Sequence, residues 1–289
     1  MRVKWIATIC LLVCVCLMGS CGKNGGEQRV VSVTIPPQQW LLQQIVGDRY
    51  KVTALLPPGA NPETFEPDMQ QLMDLQNSAA YFKAGMPGFE ESMLGKMKDN
   101  FPDLPVYDSS EGVERLTGTH SQHDSHGDDH AADPHVWTSL KNARVMAANM
   151  LRHMVAIDPE GREIYTANFN RLDSRLAALD DSIAGVLAGR AGTSFIVWHP
   201  SLSYFARDYG LQQIAMEADG KEASVKQLRR QVDAAGAHRP VVFFLQQEYD
   251  SRGARTLAGE IGLPTASIAV MSADIADQAR QITKVINEH

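Results

Sequence analysis

Four histidines, His120, His123, His126 and His130, stand among Asp124, Asp128 and Asp129 in a run with almost nothing apolar, which ends in Asp133-Pro134-His135-Val136-Trp137. Imidazole and carboxylate side chains together are donors suited to zinc and its neighbours in the first transition row. The plain alternative is a solvated loop whose histidines do nothing. An affinity tag does not fit, because these histidines lie mid-chain and are not consecutive. Pro134 restricts the residue before it and fixes the approach of His135. Two other stretches carry donors. Pro57-Pro58-Gly59-Ala60-Asn61-Pro62-Glu63-Thr64-Phe65-Glu66-Pro67 is a rigid turn presenting Glu63 and Glu66, which in isolation reads equally well as a solvated capping loop. Trp198-His199-Pro200-Ser201 places a histidine just ahead of a helix start, where a hydrogen-bonded structural role is the commoner one. Spacing alone does not join these dispersed donors into one site.

The elements that must position them alternate between strand and helix. β-Branched runs at residues 29–35 and 50–56 read as strands, with a helix over residues 38–46 between them. Asp68 caps a helix running to about residue 76; residues 79–83 and 105–107 read as strands around a helix at residues 89–97. Such alternation predicts a parallel sheet covered on both faces. Beyond the histidine-rich insert, residues 140–157 are helical, and Asp158-Pro159-Glu160 marks a boundary at which Asp158 caps and Pro159 takes the first helical position. From there to about residue 187 there is no proline, and Ile164, Ala167, Leu172, Leu176, Leu179, Ile183 and Leu187 recur at helical spacing. Roughly thirty helical residues would span about 45 Å, long for one lobe and suited to a strut between two. The second half repeats the first, with strands at 194–198, 211–215, 241–245 and 265–270, and helices at 202–209, 225–235, 251–261 and 275–287. Two α/β lobes with a helix between them leave a cleft, and ligands of open α/β sheets gather at the carboxyl ends of strands.

The start of the chain sets the compartment. Arg2 and Lys4 precede an apolar run from Trp5 to Met18 broken only by Thr8, followed by Gly19-Ser20-Cys21. This is the pattern of an export signal, residues 1–20, and the apolar run is short for a membrane span. Leu17-Met18-Gly19-Ser20-Cys21 resembles a bacterial lipobox, which makes Cys21 the lipidated first residue of the mature chain and residues 21–28 a flexible tether. Cys10, Cys14 and Cys16 leave with the signal, so no internal disulfide is expected in an oxidising compartment. Removing Arg2 and Lys4 from the 27 basic residues leaves 25 against 34 acidic ones, a formal charge of −9. That balance argues against nucleic acid and favours cationic ligands.

The loop at residues 58–67, the Asp133-Pro134-His135-Val136-Trp137 run, and His199-Pro200 followed by Tyr204-Phe205-Ala206-Arg207-Asp208-Tyr209-Gly210-Leu211 occur in this order. In this the chain resembles the metal-binding lipoproteins of bacterial zinc and manganese ABC importers, the cluster A-I solute-binding proteins, over essentially its whole mature length. A histidine- and aspartate-rich loop just before the Asp133–Trp137 run is typical of the zinc branch. The resemblance implies two (β/α) lobes with parallel sheets, residues 29–158 (histidine-rich loop 119–132) and 189–289. One long rigid helix, residues 159–188, joins them, and the metal site lies in the interlobe cleft.

Carried over by position, His135 and His199 match two metal ligands. Where most relatives have a first histidine this chain has Glu63, which can ligate zinc at about 2.0–2.2 Å but is anionic and harder. Manganese or iron therefore stay possible cargo beside Zn2+. The late aspartate of the family aligns with Ala269, which cannot coordinate, so the fourth ligand is Glu248, Asp274 or water. The implied function is capture of Zn2+ outside the cytoplasmic membrane by a lipid-anchored monomer. Delivery is to an integral-membrane permease with its cytoplasmic ATPase, with release when docking disturbs the ligand geometry. Neutral imidazole is needed to coordinate, so affinity should fall as pH drops through about 6.5. The histidines at 120–130 read as an accessory arm that gathers a second, weaker zinc. Rival classes are a secreted zinc hydrolase using Glu66 or Glu63 as base, and an adhesin. The sequence has no H-E-x-x-H and no G-x-S-x-G. His153 reads as a helix-face residue, His238 as a loop residue and His289 as terminal.

Overall fold

The valine-rich start of the first lobe builds the centre of its sheet. In a computed structural model, which describes residues 29–62, 64–86, 89–98, 102–116, 132–216, 230, 233, 240–249 and 252–289, β1 (Val30–Val33) pairs in parallel with β2 (Lys51–Ala54) on one side and β3 (Tyr81–Lys83) on the other. With β4 (Val106–Asp108) outside β3 the order is β2-β1-β3-β4. α1 (Pro36–Val46) begins two residues before the expected start at 38. Pro36 and Pro37 hold helical φ in its first turn, and Gln38 Oε1 accepts from the amides of Thr34 and Ile35 in place of a conventional cap. α2 (Met69–Gln76) starts as expected at Asp68, whose carboxylate accepts from the Gln71 amide at 2.8 Å while the Gln71 side chain returns the bond at 2.9 Å. α3 (Phe89–Lys98) precedes β4.

α4 (Leu140–Ile157) matches the sequence reading at both ends. The boundary after it falls at Asp158-Pro159 as read, with Pro159 in the first helical position, but Asp158 makes no side-chain cap. Its buried carboxylate instead accepts from Arg49 at 2.9 and 3.0 Å and from the Tyr165 hydroxyl at 2.5 Å. A charge removed from water takes a guanidinium and a phenol in preference to one amide. The chain passes through a 3-10 turn, Pro159–Gly161, into α5 (Arg162–Leu187). A Cβ on Gly161 would come within 2.3 Å of the Tyr165 ring, so the entry to the helix requires glycine. The buried stripe of α5 runs through Tyr165, Leu172, Leu176, Ile183 and Leu187; Ile164 and Ala167 are exposed. Taking Tyr165 rather than Ile164 as the first inward position restores the three-four spacing through Phe169. Its 26 residues reach about 39 Å.

The second sheet, β5 (Ser194–Val197), β6 (Gln212–Ala215), β7 (Pro240–Gln246) and β8 (Thr265–Ile268), is also parallel and has the order β6-β5-β7-β8, the same arrangement as the first. α6 (Ser203–Asp208), α7 (Arg252–Ile261) and α8 (Ile275–Glu288) accompany it. The helix expected at 225–235 lies largely outside the described residues. So do the segment 1–28 with Cys21, and His120, His123, His126 and His130. Alternate residues of β5 face opposite layers: Phe195 and Val197 join the main core, Ile196 a second cluster with Trp198 and Phe243. A sheet buried on both faces needs such continuous apolar strands. The main core is continuous between the lobes, from Val31 and Phe82 through Leu172 and Leu176 to Phe244 and Ile282. α5 packs on α1, α4 and α8, so the joining helix is part of the main core that the two lobes share.

Candidate metal centre

His135 stands just ahead of a 3-10 turn, Val136–Thr138, that leads into α4, whose first turn is capped by Ser139. Trp137 is buried and donates its indole N–H to the Val270 carbonyl at 3.1 Å, fastening this corner of the first lobe to the second. The Asp133 carboxylate accepts from both the His135 amide and Nδ1, each at 2.9 Å. Burial by itself would push the Asp133 carboxyl up, but bonds from the His135 ring and backbone and from Ser203 outweigh it and hold the group below the usual carboxylate range. An ionised carboxylate only accepts, so Nδ1 carries the proton, and in the neutral imidazole, the form that coordinates, Nε2 presents the lone pair. This is how an outer carboxylate orients a ligating imidazole.

His199 follows β5 and is buried. Gln246, at the end of the neighbouring β7, pairs with the peptide groups of His199: its Oε1 accepts from the His199 amide at 2.8 Å and its Nε2 donates to the His199 carbonyl at 2.8 Å. The imidazole stacks on Tyr249 with ring centroids 4.1 Å apart and planes 7° from parallel. These contacts leave His199 Nε2 facing His135 Nε2 at 3.3 Å, with 3 % and 1 % exposure of His135 and His199. A tetrahedral zinc about 2.0–2.1 Å from each nitrogen would hold the two about 3.3–3.4 Å apart. The pair therefore already has the bite that such an ion requires.

The remaining expected donors separate clearly. Glu63 lies outside the described residues; its neighbours Asn61 and Phe65 are half-buried, and Glu66 is exposed. Glu248 is buried, and its two oxygens accept from the Val270 and Met271 amides at 3.1 and 2.7 Å. Asp274 caps α8 by accepting from the amides of Ala276 and Asp277. Among the described residues no group of three or more His, Cys, Asp or Glu side chains is placed to hold a metal, so neither carboxylate joins the histidine pair in such a group. At Ala269 only a methyl group and a carbonyl are offered, and the carbonyl accepts from Gln278 at 2.7 Å. His153 lies on α4, as expected of a helix-face residue, and stacks on Tyr107. Sequence reading missed Asp133, Gln246 and Tyr249. Only Asp133 carried a signal, as a carboxylate two positions before a candidate ligand.

Two parallel-sheet lobes bridged by one long helix, with a buried imidazole pair where the lobes meet, define a metal-binding solute-binding protein. The family model described as ZnuA, zinc-uptake complex component A periplasmic, matches residues 31–285. The high-affinity zinc uptake system protein ZnuA of Bacillus subtilis (strain 168) is 27% identical over 283 residues, covering 91% of this chain and 87% of that protein. A crystal structure of ZnuA superposes with a TM-score of 0.82 at 30% identity, covering 91% of this chain and 99% of that one. A zinc-bound ZnuA deletion mutant gives 0.81 at 31%, covering 90% and 97%. The manganese complex of FpvC from Pseudomonas aeruginosa, at 24% identity and a TM-score of 0.78 over 91% of this chain and 99% of that one, shares the fold. The chain belongs to the ZnuA family, the periplasmic zinc-binding components of bacterial ABC import systems. Its work is that of a zinc-transport solute-binding protein.

Proposed function

We propose that this chain captures Zn2+ between His135 and His199, with Glu63 as the third protein ligand and water as the fourth. The observation that carries the reading is the 3.3 Å separation of two buried Nε2 atoms, one from each lobe. Two imidazoles favour zinc over manganese, and Glu63 supplies the one anionic donor that compensates for Ala269. In this reading residues 1–20 are removed on export and Cys21 carries the lipid. Residues 21–28 tether the body, 29–158 and 189–289 form the two jaws, and 159–188 limits their relative movement. The cargo enters from the side of the 58–67 loop. Docking on the membrane permease releases it by disturbing the Glu63 contact, and the histidines at 120–130 raise the local supply.

Zinc competition titration against a chromogenic chelator tests this on the parent, His135→Ala, His199→Ala and Glu63→Ala. All three substitutions should weaken binding, the histidine changes most. Parent-like affinity in Glu63→Ala would remove glutamate from the site, and parent-like affinity in both histidine variants would place the zinc elsewhere.

A further inference from the structure

The first turn of α6 connects the two halves of the site without using a metal ligand. Tyr204 is fully buried, and its hydroxyl donates to the Asp133 carbonyl at 2.7 Å while accepting from the Leu116 amide at 3.1 Å. The Leu116 carbonyl in turn accepts from the Asp133 amide at 2.8 Å. Leu116 and Asp133 flank the histidine-rich segment in sequence, so one phenol from the second lobe ties both of its ends. Burial keeps the Tyr204 hydroxyl protonated, with its titration raised from the ordinary phenol value. Beside it Ser203 bonds the Asp133 carboxylate and accepts from Gln213 at 2.9 Å. Arg207 lies over the Tyr204 ring, 5.1 Å from its centroid.

These contacts set distances. Ser203 and Tyr204 belong to the segment that carries His199, whereas Asp133 holds the His135 ring. Any slip of Asp133 along α6 therefore changes the separation of the two Nε2 atoms. Facing imidazole nitrogens gain at most one hydrogen bond from each other, and metal binding needs both lone pairs. Their closeness has to come from the frame. We propose that Tyr204, supported by Ser203, is a positioning residue for zinc: a crossbar between the lobes that fixes the His135–His199 spacing and joins the base of the histidine-rich segment to the His135 ligand. The proposal rests on the reading that these two histidines bind the metal.

Tyr204→Phe removes one oxygen and keeps the ring. It is compared in the full chain with the parent, Ser203→Ala and His135→Ala by zinc competition titration, by the visible absorption of bound Co2+, whose bands report ligand geometry, and by melting without metal. Tyr204→Phe is expected to bind zinc about 10–100-fold more weakly, the range of outer-shell partners, and to shift the cobalt bands. An affinity within about twofold of the parent together with an unchanged cobalt spectrum overturns the proposal, even if the melting temperature falls, because lost hydrogen bonds alone explain that fall. Should Tyr204→Phe not fold, Ser203→Ala carries the same two readouts with the same outcomes. Parent-like zinc and cobalt binding in His135→Ala overturns the underlying metal-site reading. Loss in His135→Ala beside parent-like Tyr204→Phe overturns the crossbar alone.

Discussion

The two lobes have the same strand order, yet they meet the cleft differently. In the second lobe His199 leaves β5 directly into a buried clamp, with Gln246 on its peptide groups and Tyr249 against its ring. In the first lobe the chain leaves β2 into a proline-rich loop in which Pro57, Pro58, Gly59, Thr64 and Glu66 are exposed. In the proposed reading one wall of the site is set before cargo arrives, and much of the other is exposed. His135 belongs with the set wall, since Asp133, Ser203, Tyr204 and Trp137 fasten it across the lobes. The lobes also share a device: Glu90 accepts the amides of Ala84, Gly85 and Met86 just as Glu248 accepts those of Val270 and Met271. Buried carboxylates at these strand ends shape loops, and their presence alone does not mark ligands.

The sharpest way to break this contrast is on the set wall. His199→Ala and His135→Ala should each weaken zinc by more than about 100-fold, beyond the range of outer-shell partners. Next comes Asp133→Asn, which keeps an acceptor but loses the charge; about tenfold weaker binding by competition titration is expected. Equal losses from Asp133→Asn and His135→Ala would mean that orientation, not donation, dominates. Gln246→Ala leaves the amide and carbonyl of buried His199 without this partner and should cost about 1–3 kcal/mol in urea unfolding.

A smaller effect is expected far from the cleft, where the first lobe meets α5. Burial pushes the Asp158 carboxyl up, yet bonds from Tyr165 and Arg49 bring it below its ordinary value. With the folded value depressed, the unfolded chain takes up the proton first as pH falls. The stability Asp158 contributes is therefore complete above about pH 4, the ordinary value, and is lost as pH drops through the folded one. Asp158→Asn should lower the urea midpoint at pH 7 and flatten its decline toward pH 3; a decline as steep as the parent's would assign the acid sensitivity elsewhere. The smallest effect on the cleft is expected from deleting residues 120–130, which should change zinc stoichiometry and loading at scarce zinc and leave the tight affinity near that of the parent.

Much of the architecture was legible because it is written in local patterns. β-Branched runs located the strands, Asp68 with Gln71 located a helix start, and α4 could be bounded at both ends. The early start of α1 has a local cause in Pro36, Pro37 and Gln38, whereas at the entry to α5 a tertiary contact prevailed over the local pattern. Asp158 next to Pro159 is a good local cap, but Arg49 and Tyr165 offered a stronger bond. Ile164 fits a helical stripe, but Tyr165 is the residue that reaches the core. The histidine pair was readable only through a family pattern, since nothing local links positions 135 and 199. Glu248 and Asp274 were reasonable donors by type, and their oxygens hold the backbone amides described above. Gln246 and Tyr204 left no local trace of their roles, because those roles exist only when β7 reaches His199 and α6 reaches Asp133.

The central claim is that the cargo sits on the preset imidazole pair. Diffraction from zinc-loaded crystals, with anomalous scattering recorded at the zinc edge, tests it directly. The account predicts a peak bonded to Nε2 of both His135 and His199 at about 2.0–2.1 Å, with Glu63 completing the protein ligands. A sole peak among the histidines of 120–130, or one that leaves either Nε2 uncoordinated, contradicts it.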